Sequence, residues 1–428
     1  MKIKTIHGYE VIDSRGNPTV GARVVLDDGS YGLAFVPSGA STGQHEANEK
    51  RDEDLSRFFG KGVQEAVKAV EGEIESCLKG RDVDDLCGND SLMIQTDASE
   101  NKKNLGANAI LAVSMASAKA ASVSQQIPLY QFNNKKFFEL TGQEVIPKLP
   151  IPMMNILNGG AHADNPIDFQ EFMIQPKGFN SFSRTLRAGI EIFHNLKGLL
   201  NRKGLNTSVG DEGGFAPHLG SPEEALDLIM QSIEISGYKP SEQISLCLDI
   251  AATEFYSESA YDLKGMDKRY SAVEMIDYID ELCAKYPISS VEDGLDEDDW
   301  KGWAKLNETI GKKVQLVGDD LFVTNPKRIE KGVKTNSANA VLIKVNQIGT
   351  LLETFEAINI ANKNNMSTVI SHRSGETEDT FISDLTVGVA SGQIKTGAPS
   401  RSDRVAKYNR LLMIESDTKL EMVYEKSV

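Results

Sequence analysis

The chain has 428 residues, 40% of them hydrophobic and 25% charged, a globular composition with enough apolar material for a large core. That length exceeds one ordinary domain and suits a barrel with a second, smaller domain. Its 46 basic and 62 acidic residues leave a net charge of −16. This argues against nucleic acid or an anionic membrane as the primary partner, because both need a basic surface. A small anionic substrate is compatible with it, since a few Lys and Arg side chains in one cleft suffice.

The opening stretch, from Met1 to Val20, has no apolar run of the kind a signal peptide carries. Cys77, Cys87, Cys247 and Cys283 show neither C-x-x-C spacing nor a zinc-like histidine partner, so they read as reduced thiols of a cytoplasmic protein. The first ~40 residues look like strands. Arg23–Leu26 and Tyr31–Val36 flank Asp28-Gly29, a hairpin signal. The period then changes. Apolar residues at 63, 66, 67, 70, 74 and 78 define one face of a helix over Val63–Leu78. A second helix is predicted over Gly106–Val123. Its Ala and Ser content, with Asn108 and Lys119, marks it as packed and not membrane-spanning. Residues 1–140 therefore predict a small α+β capping domain. The Pro-rich run Pro147–Pro152 is the expected linker, and 147–428 the expected α/β barrel that carries the active site.

Beyond the linker, helices alternate with short apolar runs. Ser221 with Pro222 and Glu224 predicts a capping box, and Gly237 a helix end; Ser271 and Glu274 repeat the box. The apolar runs end, in order, at Asp249, Glu292, Asp319, Lys344, His372 and Lys395, separated by 43, 27, 25, 28 and 23 residues. One βα unit takes about 25–40 residues. Each of the six is thus expected at the C-terminal tip of a successive strand, where a barrel gathers its chemistry. One charged residue after one strand says little, because loops are polar. Three carboxylates followed by Lys, His and Lys say much more.

Asp249, Glu292 and Asp319 offer oxygen ligands without Cys or His, which favours Mg²⁺ or Mn²⁺ over zinc. Lys344 on the next strand suits a general base. A cation and other positive groups nearby are expected to lower its pKa toward neutrality. Glu212, in the Gly-rich loop Gly210–Pro217, and Glu171, in an apolar setting, are both candidates for the proton donor that an elimination needs. Arg373 and Ser374, just beyond His372, are candidates for an anion-binding pair or for a helix cap with a surface arginine. Gly39–Gly43 and Asn158–Ala163 are mobile-loop candidates.

Long motifs in one order carry a resemblance. They include Asp13-Ser-Arg-Gly-Asn-Pro-Thr19, Val36-Pro-Ser-Gly-Ala-Ser-Thr-Gly43, Leu105-Gly-Ala-Asn-Ala-Ile-Leu111 and Asn158-Gly-Gly-Ala-His-Ala-Asp-Asn165. Gln170-Glu-Phe-Met-Ile174, Gly210-Asp-Glu-Gly-Gly214, Val291–Trp300, Val317–Asn325, Leu342–Thr350, Ser371–Thr380 and Ile394–Pro399 continue it. The chain resembles the enolase family almost end to end, with loops closer in wording to bacterial members. Phe169 and Phe215 replace smaller apolar residues beside the two glutamates, so packing there is expected to differ.

The resemblance implies an enolase-type barrel with an early antiparallel element, and a glycolytic lyase interconverting 2-phosphoglycerate with phosphoenolpyruvate and water. On that analogy Lys344 removes the C2 proton and Glu212 protonates the departing hydroxyl, with Glu171 and His162 on the leaving-group side. Gln170 and His372 contact substrate, Arg373 and Ser374 hold the phosphate, and Lys395 the carboxylate. Asp249, Glu292 and Asp319 hold one Mg²⁺; a second arrives with substrate and is touched by Ser41. A homo-oligomer, dimer or octamer, is implied, in the cytoplasm, with secretion or surface display as an addition. Two alternatives are a racemase or cycloisomerase of the same superfamily, which would lack the Arg373-Ser374 pair, and a scaffold, cell-surface or RNA-processing role. The complete set of ionisable residues favours an active enzyme.

Overall fold

The computed structural model describes residues 1–39 and 43–422. The chain starts as an antiparallel meander, β1 (Ile3–Ile12), β2 (Pro18–Leu26) and β3 (Tyr31–Phe35), with the β2–β3 turn at the predicted Asp28-Gly29. Strand β2 is nearly all buried because helix Ala107–Gln125 lies across it and β3. The small residues of that helix let the strands come close. A Cβ added to Gly32 would stand 2.1 Å from Ala116 O. The predicted helix over Val63–Leu78 exists as a helical run from Gln64 to Leu78, with a π turn at Val70–Ile74.

The second region is a closed barrel. β4 (Ile151–Asn158) pairs antiparallel with β5 (Glu171–Pro176), and β5 antiparallel with β6 (Ile244–Asp249). The chain then forms a small sheet of β7 (Tyr256–Ser257), β8 (Ala260–Leu263) and β9 (Lys268–Tyr270). β10 (Ile288–Glu292), β11 (Gln315–Gly318), β12 (Ala340–Ile343), β13 (Ser367–Ser371) and β14 (Gly392–Lys395) follow in parallel, and β14 closes on β4. The order β4-β5-β6-β10-β11-β12-β13-β14 has β5 as its one antiparallel member, the early irregularity that the resemblance implies.

The helices between the late strands bury one apolar face each. Helix Ala272–Lys285 starts on a full capping box between Ser271 and Glu274. The box predicted at Ser221 is half made. Its hydroxyl accepts from Glu224 N, while the Glu224 carboxylate turns to Gly220 N at 2.8 Å. Gly237, at φ +78°, follows the end of that helix as expected. Inside the barrel Met153, Met173, Cys247, Val317, Ala340, Leu342 and Val369 form a buried apolar layer. Near the other end of the strands, Gln175, Gln315 and Gln393 are linked by amide hydrogen bonds of 2.8–3.1 Å. The four cysteines form no disulfide. No helix among the described residues is long and apolar enough to cross a membrane.

The two regions meet over apolar, charged and backbone contacts, with Phe137 edge-on to Phe355 at 5.8 Å between ring centroids. Ser38 and Gly375 exchange backbone hydrogen bonds of 2.7 and 2.8 Å, Lys119 pairs with Asp379 at 2.6 Å, and buried Lys102 pairs with Glu353 at 2.9 Å.

Candidate active site

The apolar runs become strands that stop where the charged residues begin. Asp249, Glu292 and Lys395 are the last residues of β6, β10 and β14, and Asp319, Lys344 and His372 come directly after β11, β12 and β13. All these strands except β5 run the same way, so the six side chains reach one mouth of the barrel. β5 starts at that mouth because it is antiparallel. Its register sets Glu171 opposite Asp249. One small cavity is lined by His162, Gln170, Glu171, Glu212, Asp249, Lys344, His372, Arg373, Ser374 and Lys395, with Ser371 between them. Glu292 and Asp319 join through ion pairs with two of the lining lysines. Ser41 lies outside the described residues.

Lys395 Nζ is the hub of the mouth. It stands 2.9 Å from Asp249 Oδ2, 2.8 Å from Glu292 Oε1 and 3.3 Å from Glu171 Oε1. Burial disfavours its charge, but the three carboxylates outweigh that and hold it well above the usual lysine range. Burial pushes Glu292 well up, and the Asp249 charge adds to the shift. Gln170 donates to Asp249 Oδ2 at 3.3 Å. Asp319 takes Gln347 Nε2 at 2.8 Å and a short ion pair from Lys344. Burial raises Asp319, yet Lys344 brings it below the ordinary carboxylate value. Lys344 is held by opposing influences. Burial pulls its ammonium down, but Asp319 more than compensates and raises it above the usual lysine value.

The carboxylates of this mouth have the donor chemistry of a hard-cation site. The donors are oxygen only, on three neighbouring strand ends, and Glu292 Oε2 is buried without a hydrogen-bond donor. Among the described residues, the sets whose ligand atoms all stand within 4.8 Å of one another are Asp293 with Asp319 and Asp320, and His162 with Glu171 and Glu212; of the predicted trio only Asp319 belongs to one. The oxygens of Asp293 accept from the backbone N–H groups of Asp319 and Asp320 at 2.9 and 2.8 Å, so this aspartate shapes the strand end.

Glu212 is presented by a sharp turn, Gly210–Gly214. Gly213 sits at φ +86°, and a Cβ there would come within 2.7 Å of Ser400 O. Asn155 Nδ2 donates to Glu212 Oε2 at 3.1 Å, and His372 Nε2 lies 3.1 Å from the same oxygen. His162 Nδ1 stands between the two glutamates, 3.5 Å from Glu171 Oε1 and 3.7 Å from Glu212 Oε1. Burial raises both carboxyls. At Glu171 the charges of Glu212, Asp249 and Glu292 add to it, and the group ends well above its ordinary range. At Glu212 the neighbouring His372, His162 and Arg404 reverse it, and the group ends well below. Phe169 stacks against Phe172 with centroids 6.3 Å apart, and Phe215 stacks on Phe193 at 4.3 Å. Both aromatic substitutions are absorbed by neighbouring rings.

Arg373 is held by Glu46, with both guanidinium nitrogens on the carboxylate at 2.9 and 3.1 Å, and by Asn346 at 3.1 Å. Glu46, Asn155, Asp293, Gln347 and Arg404 were not singled out from the sequence. Asp293 and Gln347 lay inside quoted motifs, beside Glu292 and Lys344, and adjacency was the available signal. Glu46 gives no local signal, since its partner is 327 residues away.

Two family models match the chain: "Enolase, N-terminal domain" over residues 3–132 and "Enolase, C-terminal TIM barrel domain" over residues 147–427.

Proposed function

The chain belongs to the enolase family, whose magnesium-dependent chemistry on small molecules is the setting of this site, and we propose that it reversibly dehydrates 2-phospho-D-glycerate to phosphoenolpyruvate and water. One observation carries this reading. A single small cavity is lined by Lys344, two buried glutamates with a histidine between them, and two further cations, Lys395 and Arg373. A substrate with a carboxylate, a phosphate and a leaving hydroxyl uses each of these groups once.

Lys344 takes the proton from C2, and its electron pair moves toward the substrate carboxylate that Lys395 attracts. Glu212 then protonates the C3 hydroxyl, the C3–O bond breaks, and C2 and C3 become doubly bonded. Arg373 and Ser374 hold the phosphate, Gln170 and His372 line the substrate, and Glu171 with His162 shapes the leaving-group side. When bound, Mg²⁺ held by Asp249, Glu292 and Asp319, with a second ion arriving with substrate near Ser41, supplies positive charge that weakens the pull of Asp319 on Lys344 and offsets charge on the substrate carboxylate.

A second reading concerns the acid. Its burial among carboxylates favours a proton on Glu171, and the donors around Glu212 favour its ionised form. Glu171 is then the donor to the hydroxyl. The test of the overall reading is the ultraviolet absorbance of phosphoenolpyruvate formed from 2-phosphoglycerate. A Mg²⁺-dependent rise is expected, lost on chelation and restored by added Mg²⁺; no rise at any Mg²⁺ concentration overturns the assignment.

A further inference from the structure

The groups behind Glu212 fix where its proton can sit. Arg404 is fully buried. Its guanidinium reaches His372 Nδ1 at 2.6 Å and also donates to the carbonyls of Asp211, at 3.0 Å, Arg373 and Ser374. A guanidinium has N–H donors and no acceptor. Nδ1 of His372 must therefore be the accepting nitrogen, and the one proton of the neutral ring must be on Nε2. Burial keeps that ring neutral, with Arg404 adding to the effect against Glu212, and its pKa is pushed down to about 3.

Nε2 lies 3.1 Å from Glu212 Oε2, on an approach oblique to the ring N–H. Asn155 Nδ2 donates to that same Oε2 at 3.1 Å. Asn155 thus points an N–H at this oxygen and the Nε2–H of His372 lies beside it, so a carboxyl proton placed there would be crowded by both. The other oxygen, Oε1, has His162 Nδ1 as its neighbour, 3.7 Å away. We propose that Arg404 is a positioning residue that locks His372 as the Nε2–H tautomer, so that any proton carried by Glu212 resides on Oε1, beside His162. In the opposite tautomer the Nε2 lone pair would lie beside Oε2 and draw the carboxyl proton onto that oxygen, away from His162. The catalytic consequence rests on the assignment of Glu212 as proton donor, whereas the tautomer itself does not.

The experiment uses the full-length protein with ¹⁵N-labelled histidine, the His372 signals being assigned by their loss in His372→Gln. The expected wild-type spectrum shows His372 with an unprotonated Nδ1 and a protonated Nε2. A protonated Nδ1, or a tautomer mixture, overturns the proposal without any variant having to fold. Arg404→Met, where folded, is expected to give mixed tautomers and about 10²-fold slower dehydration, with C2 proton exchange retained. Arg404→Lys, which keeps one donor to Nδ1, is expected to recover part of the loss. His372→Gln presents an amide N–H to Oε2 without any tautomer to fix, so adding Arg404→Met to it should slow dehydration little further. Equal loss of exchange and dehydration in folded Arg404→Met, or full additivity in the double variant, refutes the positioning role. If wild type forms no phosphoenolpyruvate, the proposed function falls, and the tautomer measurement still decides the Arg404–His372 arrangement.

Discussion

The two ends of the barrel are built from the same strands and are chemically opposite. At the mouth, β6, β10 and β14 deliver Asp249, Glu292 and Lys395, buried charges held together by one ammonium. At the base, β5, β11 and β14 deliver Gln175, Gln315 and Gln393, which close the interior with neutral amide hydrogen bonds. Between them lies the apolar layer around Leu342 and Met173. Amides are enough to plug a barrel, and they avoid the desolvation cost of buried ions, several kcal/mol per ion on an order-of-magnitude scale. Charges gathered at the other end are thus a cost to stability that chemistry explains and folding does not.

Substitutions can break this contrast. The largest effect is expected from Lys344→Ala, which should slow C2 proton exchange, followed by isotope incorporation, by about 10²–10⁴-fold while Mg²⁺ binding by calorimetry persists. Retained exchange would remove Lys344 from the base role. Glu212→Gln should preserve exchange and slow dehydration by about 10²-fold or more. If Glu171→Gln does this instead, the acid is Glu171; if either variant loses both steps together, the division of labour is wrong. Moving inward, Leu342→Ala should reduce unfolding free energy by about 2–5 kcal/mol, read by denaturant titration, with the effect on the catalysed rate much smaller than that of either mouth substitution. Smallest, Gln393→Leu leaves the amides of Gln175 and Gln315 short of an acceptor and should lower stability by about 1–3 kcal/mol with turnover unchanged. A loss of activity at the base as large as that at the mouth would erase the distinction between the two ends.

The mouth was legible because each of its ladder residues follows an apolar run at the spacing of a βα unit, and the Ser271 box was legible because both its partners are local. Other features were not. Arg404 lies among Arg401, Asp403 and Lys407, a charged stretch that reads as a solvated helix face, yet it is entirely buried. The small sheet over 256–270 has strands of only two to four residues, too short to show a period. The glutamines of the base look like ordinary polar strand residues until the barrel brings them together. The raised pKa of Lys344 depends on Asp319, 25 positions earlier in the chain, through a pairing that spacing suggests but cannot orient.

The pairing of Glu46 with Arg373 has a consequence in time. Glu46 and the strand that precedes it leave the ribosome early, and the partner arginine is 327 residues behind. At about 5–20 residues per second, the wait is about 15–65 s. β14, which pairs with β4 to complete the ring, emerges later still. For most of its synthesis the nascent chain therefore exposes an open-edged, half-charged mouth, and the interval before its last strand appears is when it most needs shelter from its neighbours.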